Sequence, residues 1–321
     1  MPCYHPMHCA YQGTSVAGAP LYKILGPWTG VKYHPKDIQV PCGHCIGCRL
    51  DKSRDWADRM MLELDHSKTA VFVTLTYDNE HVPISMINDD GIPYYTLDKR
   101  DVQLFLKRLR KFFSDKSIRY YLAGEYGDKT NRPHYHAILF GLDLDNFSDR
   151  ILFGNNPFGQ PYYTSLTLER LWSNGFVSLA PVSWQTCAYV ARYVTKKLNG
   201  PDGIVYSYRN CLPPFALMSR RPGIAGFFAV DHPDCLSDRL LYIDDKFGVT
   251  NHKKVCTPKY LFEKLSLTDP DLFAKIKAER ARYAADKQLL ELARTDLDIV
   301  DYNGVKERKA LTAASALKRP L

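Results

Sequence analysis

The stretch from residue 70 to residue 141 restricts the fold more than any other part of the chain. Residues 70–77 (AVFVTLTY) are apolar and β-branched, as a buried strand requires. After Thr96, the residues Val102, Phe105, Leu106, Leu109, Phe112 and Phe113 recur at helical spacing, and Lys107, Arg108, Arg110 and Lys111 fill much of the rest. Thr96 is placed to cap that helix. Residues 118–126 (IRYYLAGEY) and 134–141 (HYHAILFG) predict two more strands, and the turn cluster GDKTNRP between them makes an antiparallel hairpin. A short helix at LTLERLW, a strand at Phe176–Leu179 and a helix over Trp184–Leu198 follow. Strands interleaved with helices around a central hairpin predict an α+β sandwich of ferredoxin-like type.

The flanks read differently. Residues 1–48, rich in Gly, Pro, Cys and His, are expected to be loops organised by a metal. Arg49–His66 predicts a helix, with apolar mass from Trp56, Met60, Leu62 and Leu64. Residues 201–256 are expected to be irregular, 257–295 helical, and the tail ending in KRPL mobile. The expected division is a Cys-rich metal-binding segment and helix (1–66), a core domain (67–200) and a C-terminal extension with helices (201–321).

The chain holds 43 basic and 35 acidic residues, a formal net charge of +8, which favours a polyanionic partner. Its 21 tyrosines suit stacking on bases as well as packing. No run of 18 apolar residues occurs, so no membrane span is expected. The N-terminus lacks the basic and apolar regions of a signal peptide, so a soluble cytosolic protein is expected.

Five of the nine cysteines fall in the first 48 residues. The odd total and a reducing compartment argue against a disulfide framework. Cys42, Cys45 and Cys48 are spaced C-x2-C-x2-C, giving three of four tetrahedral metal ligands. Cys3, Cys9, His5, His8 and His44 are candidates for the fourth. Cys3 is preferred, because a distant ligand would tie the N-terminal segment down. Zinc is the expected ion, and an iron–sulfur cluster stays open.

His134 and His136, two apart on a strand, project from the same face about 7 Å apart at the backbone. Glu125, across the hairpin, falls nearly opposite one of them. Two imidazoles and a carboxylate in one exposed cluster suit a catalytic divalent ion with open positions. On the later helix, Tyr189 and Tyr193 are i, i+4 neighbours, and Lys196 falls on their face. A phenol needs a polarised electrophile or a nearby cation to act as a nucleophile, and Lys196 supplies such a charge. Tyrosines at this spacing also suit a helix face packed on a core.

Together these motifs resemble the rolling-circle replication initiators of microviruses, the phiX-type and gokushovirus-type phages, within the HUH endonuclease superfamily. FVTLTY (72–77) resembles the first motif of that superfamily. RPHYHAILFG (132–141) resembles the His-hydrophobic-His second motif, with Tyr135 a slightly polar fit at its centre. YVARYVTKK (189–197) resembles the two-tyrosine third motif, and it follows the histidines as in replication initiators. The likeness extends to PCGHCIGCRLDKSRDWADRM (41–60) and, more loosely, to FALMSRRPGIAGFF (215–228).

The resemblance implies an HUH fold and a cut-and-rejoin reaction. A tyrosine attacks origin DNA, single-stranded or melted, to form a 5′-phosphotyrosyl enzyme and a free 3′-hydroxyl. The second tyrosine later cuts the regenerated origin, and the displaced strand is closed into a circle. Mg²⁺ or Mn²⁺ on Glu125, His134 and His136 is implied, with a host helicase and polymerase as partners, no membrane, and the host bacterial cytoplasm as the place of action. Two other readings remain at this point. One is a single-strand transposase of the same superfamily, which normally needs one tyrosine. The other is a zinc-dependent nucleic-acid-binding regulator without catalysis.

Overall fold

The computed structural model describes residues 3–29, 31–127, 130–155, 159–195, 203–232, 239–246 and 249–315, with the backbone alone for 193–195, 239–246 and 249–256. The chain forms two compact units, one of Met1–Lys52 with Asp269–Lys318 and one built on Ser53–Thr268. Compactness thus partitions the chain otherwise than along the sequence, and the boundary falls inside one helix.

The first unit corrects the expectation of loops in residues 1–48. Strands β1 (Met7–Thr14), β2 (Pro20–Pro27) and β3 (Ile38–Val40) form an antiparallel sheet in the order β2-β1-β3. Register shifts between His8 and Cys9 and between Tyr11 and Gly13 break the two-residue period by which a strand is read. Helix α1 (Ile46–Ser67) begins in this unit, three residues before its expected start.

The second unit is built on a seven-stranded antiparallel sheet. In chain order come β4 (Ala70–Tyr77), a small hairpin of β5 (Ile84–Ile87) and β6 (Pro93–Tyr95), α2 (Lys99–Phe112), β7 (Arg119–Tyr126) and β8 (Pro133–Phe140). Then follow β9 (Arg150–Asn155), β10 (Pro161–Ser165), α3 (Leu166–Trp172), β11 (Gly175–Pro181) and α4 (Trp184–Thr195). The sheet order is β12-β7-β8-β4-β11-β10-β9, where β12 is Phe215–Met218. Its central four strands, β7-β8-β4-β11, joined through α2 and α3, have the order and connections of the ferredoxin-like βαββαβ unit. The expected α+β antiparallel sheet with packed helices is therefore the fold.

Alternation divides this sheet into two faces. Val71, Val73, Leu75 and Tyr77 of β4 share one core with Leu122, Tyr135, Ala137, Leu139, Val177 and Leu179 of the neighbouring strands. Val102, Phe105, Leu106 and Leu109 of α2, with Leu168 and Trp172 of α3, complete that core. The other face presents Phe72, Thr74, Tyr121, Glu125, His134 and His136, and helices α1 and α4 lie over it. Trp56 of α1 packs on Tyr121 at 4.9 Å between ring centroids. The two helices are tied by Ser53 Oγ donating to the Ala188 carbonyl at 3.2 Å and Trp184 Nε1 donating to Asp58 at 2.8 Å.

Thr96 does not cap α2. Asp98 does, accepting from Arg100 N–H at 2.6 Å, while Thr96 Oγ1 donates to Leu97 and accepts from Leu212 N–H. Phe112, expected on the apolar face, is exposed. Residues 201–256, expected to be irregular, contain α5 (Ile204–Tyr208), β12, α6 (Gly226–Asp231) and a hairpin of β13 (Arg239–Lys246) and β14 (Val249–Cys256). β12 is four residues whose strand state comes from pairing with the edge of β7, a long-range cause with no local signature. The expected helical stretch resolves into α7 (Lys259–Thr268) and α8 (Pro270–Leu292), and a further helix, α9 (Ile299–Ser315), follows. The KRPL tail lies outside the described residues. Among the described residues, no helix is long and apolar enough to cross a membrane.

Candidate active site and cysteine cluster

The hairpin register places Glu125 of β7 directly opposite His134 of β8, and Ala123 opposite His136. Glu125, His134 and His136 therefore share the face away from the α2–α3 core. The closest approach is diagonal, with His136 Nε2 3.1 Å from Glu125 Oε1. On the other side of β8, Thr74 opposes His136 in register, and its Oγ1 lies 3.0 Å from His136 Nδ1. The His134 and His136 rings are 6.3 Å apart.

This cluster is not the exposed one expected from the sequence. Glu125 is 5% and His136 3% exposed. The cover is aromatic. Phe72 lies parallel to the His136 ring at 5.9 Å, and Tyr189 of α4 stands edge-on to it at 5.2 Å. Tyr189 is itself 7% exposed and also meets Phe72 at 6.4 Å. Tyr193 sits one turn further along α4, with its side chain outside the described residues. Lys196 lies outside the described residues altogether.

Burial holds the His134 pKa below the usual imidazole range; the neighbouring His136 adds to this, while the Glu125 charge opposes it. His134 is thereby kept neutral near pH 7, the form in which an imidazole binds a metal. Among the described residues, its buried Nδ1 has no hydrogen-bond partner. Gly127 leaves room beside the same ring, since a Cβ there would stand 2.7 Å from His134 Nε2. Two imidazoles, a carboxylate and one orphaned ring nitrogen fit a divalent ion in chemistry. The three ligand atoms are not gathered as closely as those of the cysteine cluster.

Sequence reasoning missed Thr74 as a partner of His136. The signal was present, since a polar Thr at an alternate position of an apolar strand must face away from the core. It also left Tyr135 unexplained. Tyr135 points into the α2–α3 core, where its hydroxyl donates to the Asp98 carbonyl at 2.9 Å and accepts from Asp98 N–H at 2.7 Å. The middle residue of the His-Tyr-His triplet thus fixes the start of α2.

Among the described residues, one group has three or more potential ligand atoms all within 4.8 Å of one another: Cys3, Cys42, Cys45 and Cys48. That group could hold a metal ion. Cys48 lies in the first turn of α1, and Gly43, at φ +81°, makes the turn that returns the chain to Cys45. Backbone N–H groups point at the sulfurs: Cys42 N–H to Cys3 at 3.2 Å, Cys45 N–H to Cys42 at 3.3 Å, and Cys48 and Tyr4 N–H to Cys45 at 3.5 Å each. Burial raises the Cys45 pKa, but the N–H donors of Cys48 and Tyr4 and the neighbouring thiols outweigh it and bring it down to about 7. Of the other candidates, His44 turns to the Cys42 carbonyl, His5 to Glu307 and His8 to Asp37, and Cys9 is not in the group.

The geometry defines an α+β sheet protein with a His-Glu-Tyr cluster on one sheet face and a four-cysteine group in a separate unit. Residues 70–198 match the family model described as Replication-associated protein ORF2/G2P. The chain is 33% identical over 288 residues to Replication-associated protein ORF2 of Spiroplasma virus 4, covering 88% of this chain and 85% of that protein. It is 34% identical over 205 residues to Replication-associated protein VP4 of Bdellovibrio phage phiMH2K, 62% of this chain and 59% of that one. It is also 34% identical over 163 residues to Replication-associated protein ORF4 of Chlamydia phage 1, 49% of this chain and 38% of that one. The chain belongs to this family of microvirus replication-associated proteins. No solved structure matches it.

Proposed function

We propose that this protein initiates rolling-circle replication by nicking single-stranded or melted origin DNA through a tyrosine and rejoining the displaced strand into a circle. The observation that carries the reading is the Tyr189 ring against His136, itself in contact with Glu125, in a chain of the replication-associated family. Glu125, His134 and His136 would hold Mg²⁺ or Mn²⁺. Such an ion polarises a phosphodiester and neutralises the charge that develops on it.

The chain's own groups do the rest. The phenol oxygen of Tyr189 or Tyr193 bonds to phosphorus as the bond from phosphorus to the 3′-oxygen breaks. The phenol proton is lost to solvent, and the 3′-oxygen takes one up to become the primer hydroxyl. Lys196 offsets the charge of the phenolate and of the reacting phosphate. One phosphodiester is exchanged for another, so rejoining by the reverse attack needs no nucleotide. Residues 67–200 form the nicking core in this reading. The four cysteines hold a structural zinc, in keeping with an all-thiolate set with N–H donors on its sulfurs. A host helicase and polymerase extend the freed 3′ end in the host cytoplasm.

The test is a search for covalent protein–DNA adduct on origin-containing single strands with Mg²⁺ or Mn²⁺. Wild type should form it, either single Tyr→Phe variant at 189 or 193 should keep one cleavage open, and the double variant should form none. A covalent complex in the double variant would assign the chemistry to another nucleophile. DNA binding with no adduct in wild type would favour the non-catalytic regulator.

A further inference from the structure

The first unit carries an aromatic surface that the nicking reaction does not use. Residues 1–50 contain Tyr4, Tyr11, Tyr22, Trp28 and Tyr33, three lysines, one arginine and a single acid, Asp37. Asp37 is buried, so this segment shows solvent no acidic side chain at all.

Asp37 is the hub of the arrangement. Its carboxylate accepts from Tyr11 N–H at 2.9 Å, Tyr33 N–H at 3.1 Å and His34 N–H at 3.0 Å, and it bonds His8 Nε2 at 2.9 Å. These four bonds fix two stacks of rings. In one, Tyr33 lies flat on His8 at 5.3 Å with 15° between the planes, and Trp28 closes on His8 edge-on at 5.0 Å. In the other, Tyr11 lies flat on His34 at 5.0 Å and 20°, with Tyr22 edge-on to Tyr11 at 6.0 Å. His8 is buried beneath Tyr33, yet Tyr33 is 75% exposed and Tyr22 38%. Tyr33 is thus held from one side and open on the other. Lys32 and Lys36, on either side of Tyr33 in the chain, are exposed, and Lys36 Nζ stands 4.9 Å over the Tyr11 ring.

An exposed aromatic face normally costs solvation and is not kept flat and rigid by a buried carboxylate for packing alone. Open aromatic faces, neighbouring ammonium groups and a segment whose one acid is buried are the recognition chemistry of single-stranded nucleic acid. A duplex stacks its bases on one another and has no free base face to offer. We infer that the N-terminal sheet is a second DNA site, which takes the bases of single-stranded DNA on Tyr33 and Tyr22 and its phosphates on Lys32 and Lys36. Family membership in phage replication supplies DNA as the polymer; the nicking chemistry is not required. The fixed rings reduce the ordering cost of binding.

The test uses the full chain with its metal, no added divalent ion, and a fluorescein-labelled oligothymidylate of about 20 nucleotides without origin sequence, read by fluorescence anisotropy. A stacked base is worth roughly 1–3 kcal/mol, so Tyr33→Ala should weaken binding about 5- to 150-fold. Tyr33→Trp should bind like wild type. Replacing Lys32 and Lys36 together by Ala should flatten the log–log salt dependence by about 1.4, at roughly 0.7 for each phosphate no longer neutralised. Affinity for a duplex of the same length should not respond to Tyr33→Ala. Binding of the single strand within twofold of wild type by Tyr33→Ala, with circular dichroism and zinc content unchanged, overturns the inference. If Tyr33→Ala disturbs the fold, the exposed lysines decide, and an unchanged salt slope in the Lys32→Ala, Lys36→Ala variant overturns it equally. Repeating the measurement in the Tyr189→Phe, Tyr193→Phe background separates this outcome from any failure of the nicking reading.

Discussion

Tyr135→Phe removes one buried oxygen, and its consequences follow from where protons sit. The Tyr135 hydroxyl has one hydrogen, which it donates to the Asp98 carbonyl at 2.9 Å, while it accepts from Asp98 N–H at 2.7 Å. The Tyr77 hydroxyl donates its own hydrogen to Asp101 at 2.7 Å. The remaining 3.0 Å approach between the two phenols then has no proton left to bridge it. Phe at 135 therefore strands the Asp98 N–H and removes one of the donors to the Asp98 carbonyl, which as the cap of α2 also accepts within the helix. Each hydrogen bond removed is worth about 0.5–1.5 kcal/mol net, with a further penalty where the stranded group stays buried. Asp98 is partly exposed, so water repairs some of the damage, and about 2–3 kcal/mol is expected. For a unit of this size that lowers Tm by roughly 4–12 °C. Thermal unfolding followed by circular dichroism measures the drop. Since Tyr135 faces the core away from His134 and His136, adduct formation at low temperature should persist. The Tyr77→Phe, Tyr135→Phe cycle should show no favourable coupling above about 0.5 kcal/mol, because no proton joins the two phenols. An unchanged Tm, or a coupling well above that figure, would refute the proton assignment.

Other outcomes follow from the same geometry. Thr74→Val takes away the partner of His136 Nδ1 and should weaken Mn²⁺ binding about 10- to 100-fold with little effect on stability, as measured by titration calorimetry; equal affinity would remove Thr74 from the site. Protein purified without chelators should carry one zinc per chain by elemental analysis, and Cys3→Ser should give it up to a chelator much faster than wild type does. Neither zinc nor iron in the wild type would end the structural-metal reading.

The strands and helices around the site were legible because each carries its own period. The run 70–77 coincides with β4, LTLERLW with α3, and the hairpin fell within a residue of its observed ends. Strand alternation, with the hairpin turn between the two strands, put Glu125 and both histidines on one face. What stayed hidden depends on residues far apart in sequence. The burial of Glu125 and His136 comes from α4 and Phe72 closing over them, and no local pattern states which helix covers which sheet face. The N-terminal sheet escaped because bulges interrupt its alternation and because its organiser, Asp37, is a lone acid whose four partners are spread from residue 8 to residue 34.

The triplet His134-Tyr135-His136 shows how the two kinds of information meet in one strand. A two-residue period forces its middle side chain away from the face of the outer two, so Tyr135 cannot serve the site directly. It instead holds α2 by Asp98, and α2 supplies Val102, Phe105, Leu106 and Leu109 to the core under the sheet. A large hydrophobic residue fills that volume, but only a hydroxyl also accepts from the Asp98 N–H and donates to its carbonyl. The outer positions answer to a different demand, since His136 must meet Glu125, Thr74, Phe72 and Tyr189 together. A substitution at 135 should therefore be read in stability and one at 134 or 136 in chemistry, although all three lie within one pleat of the same strand.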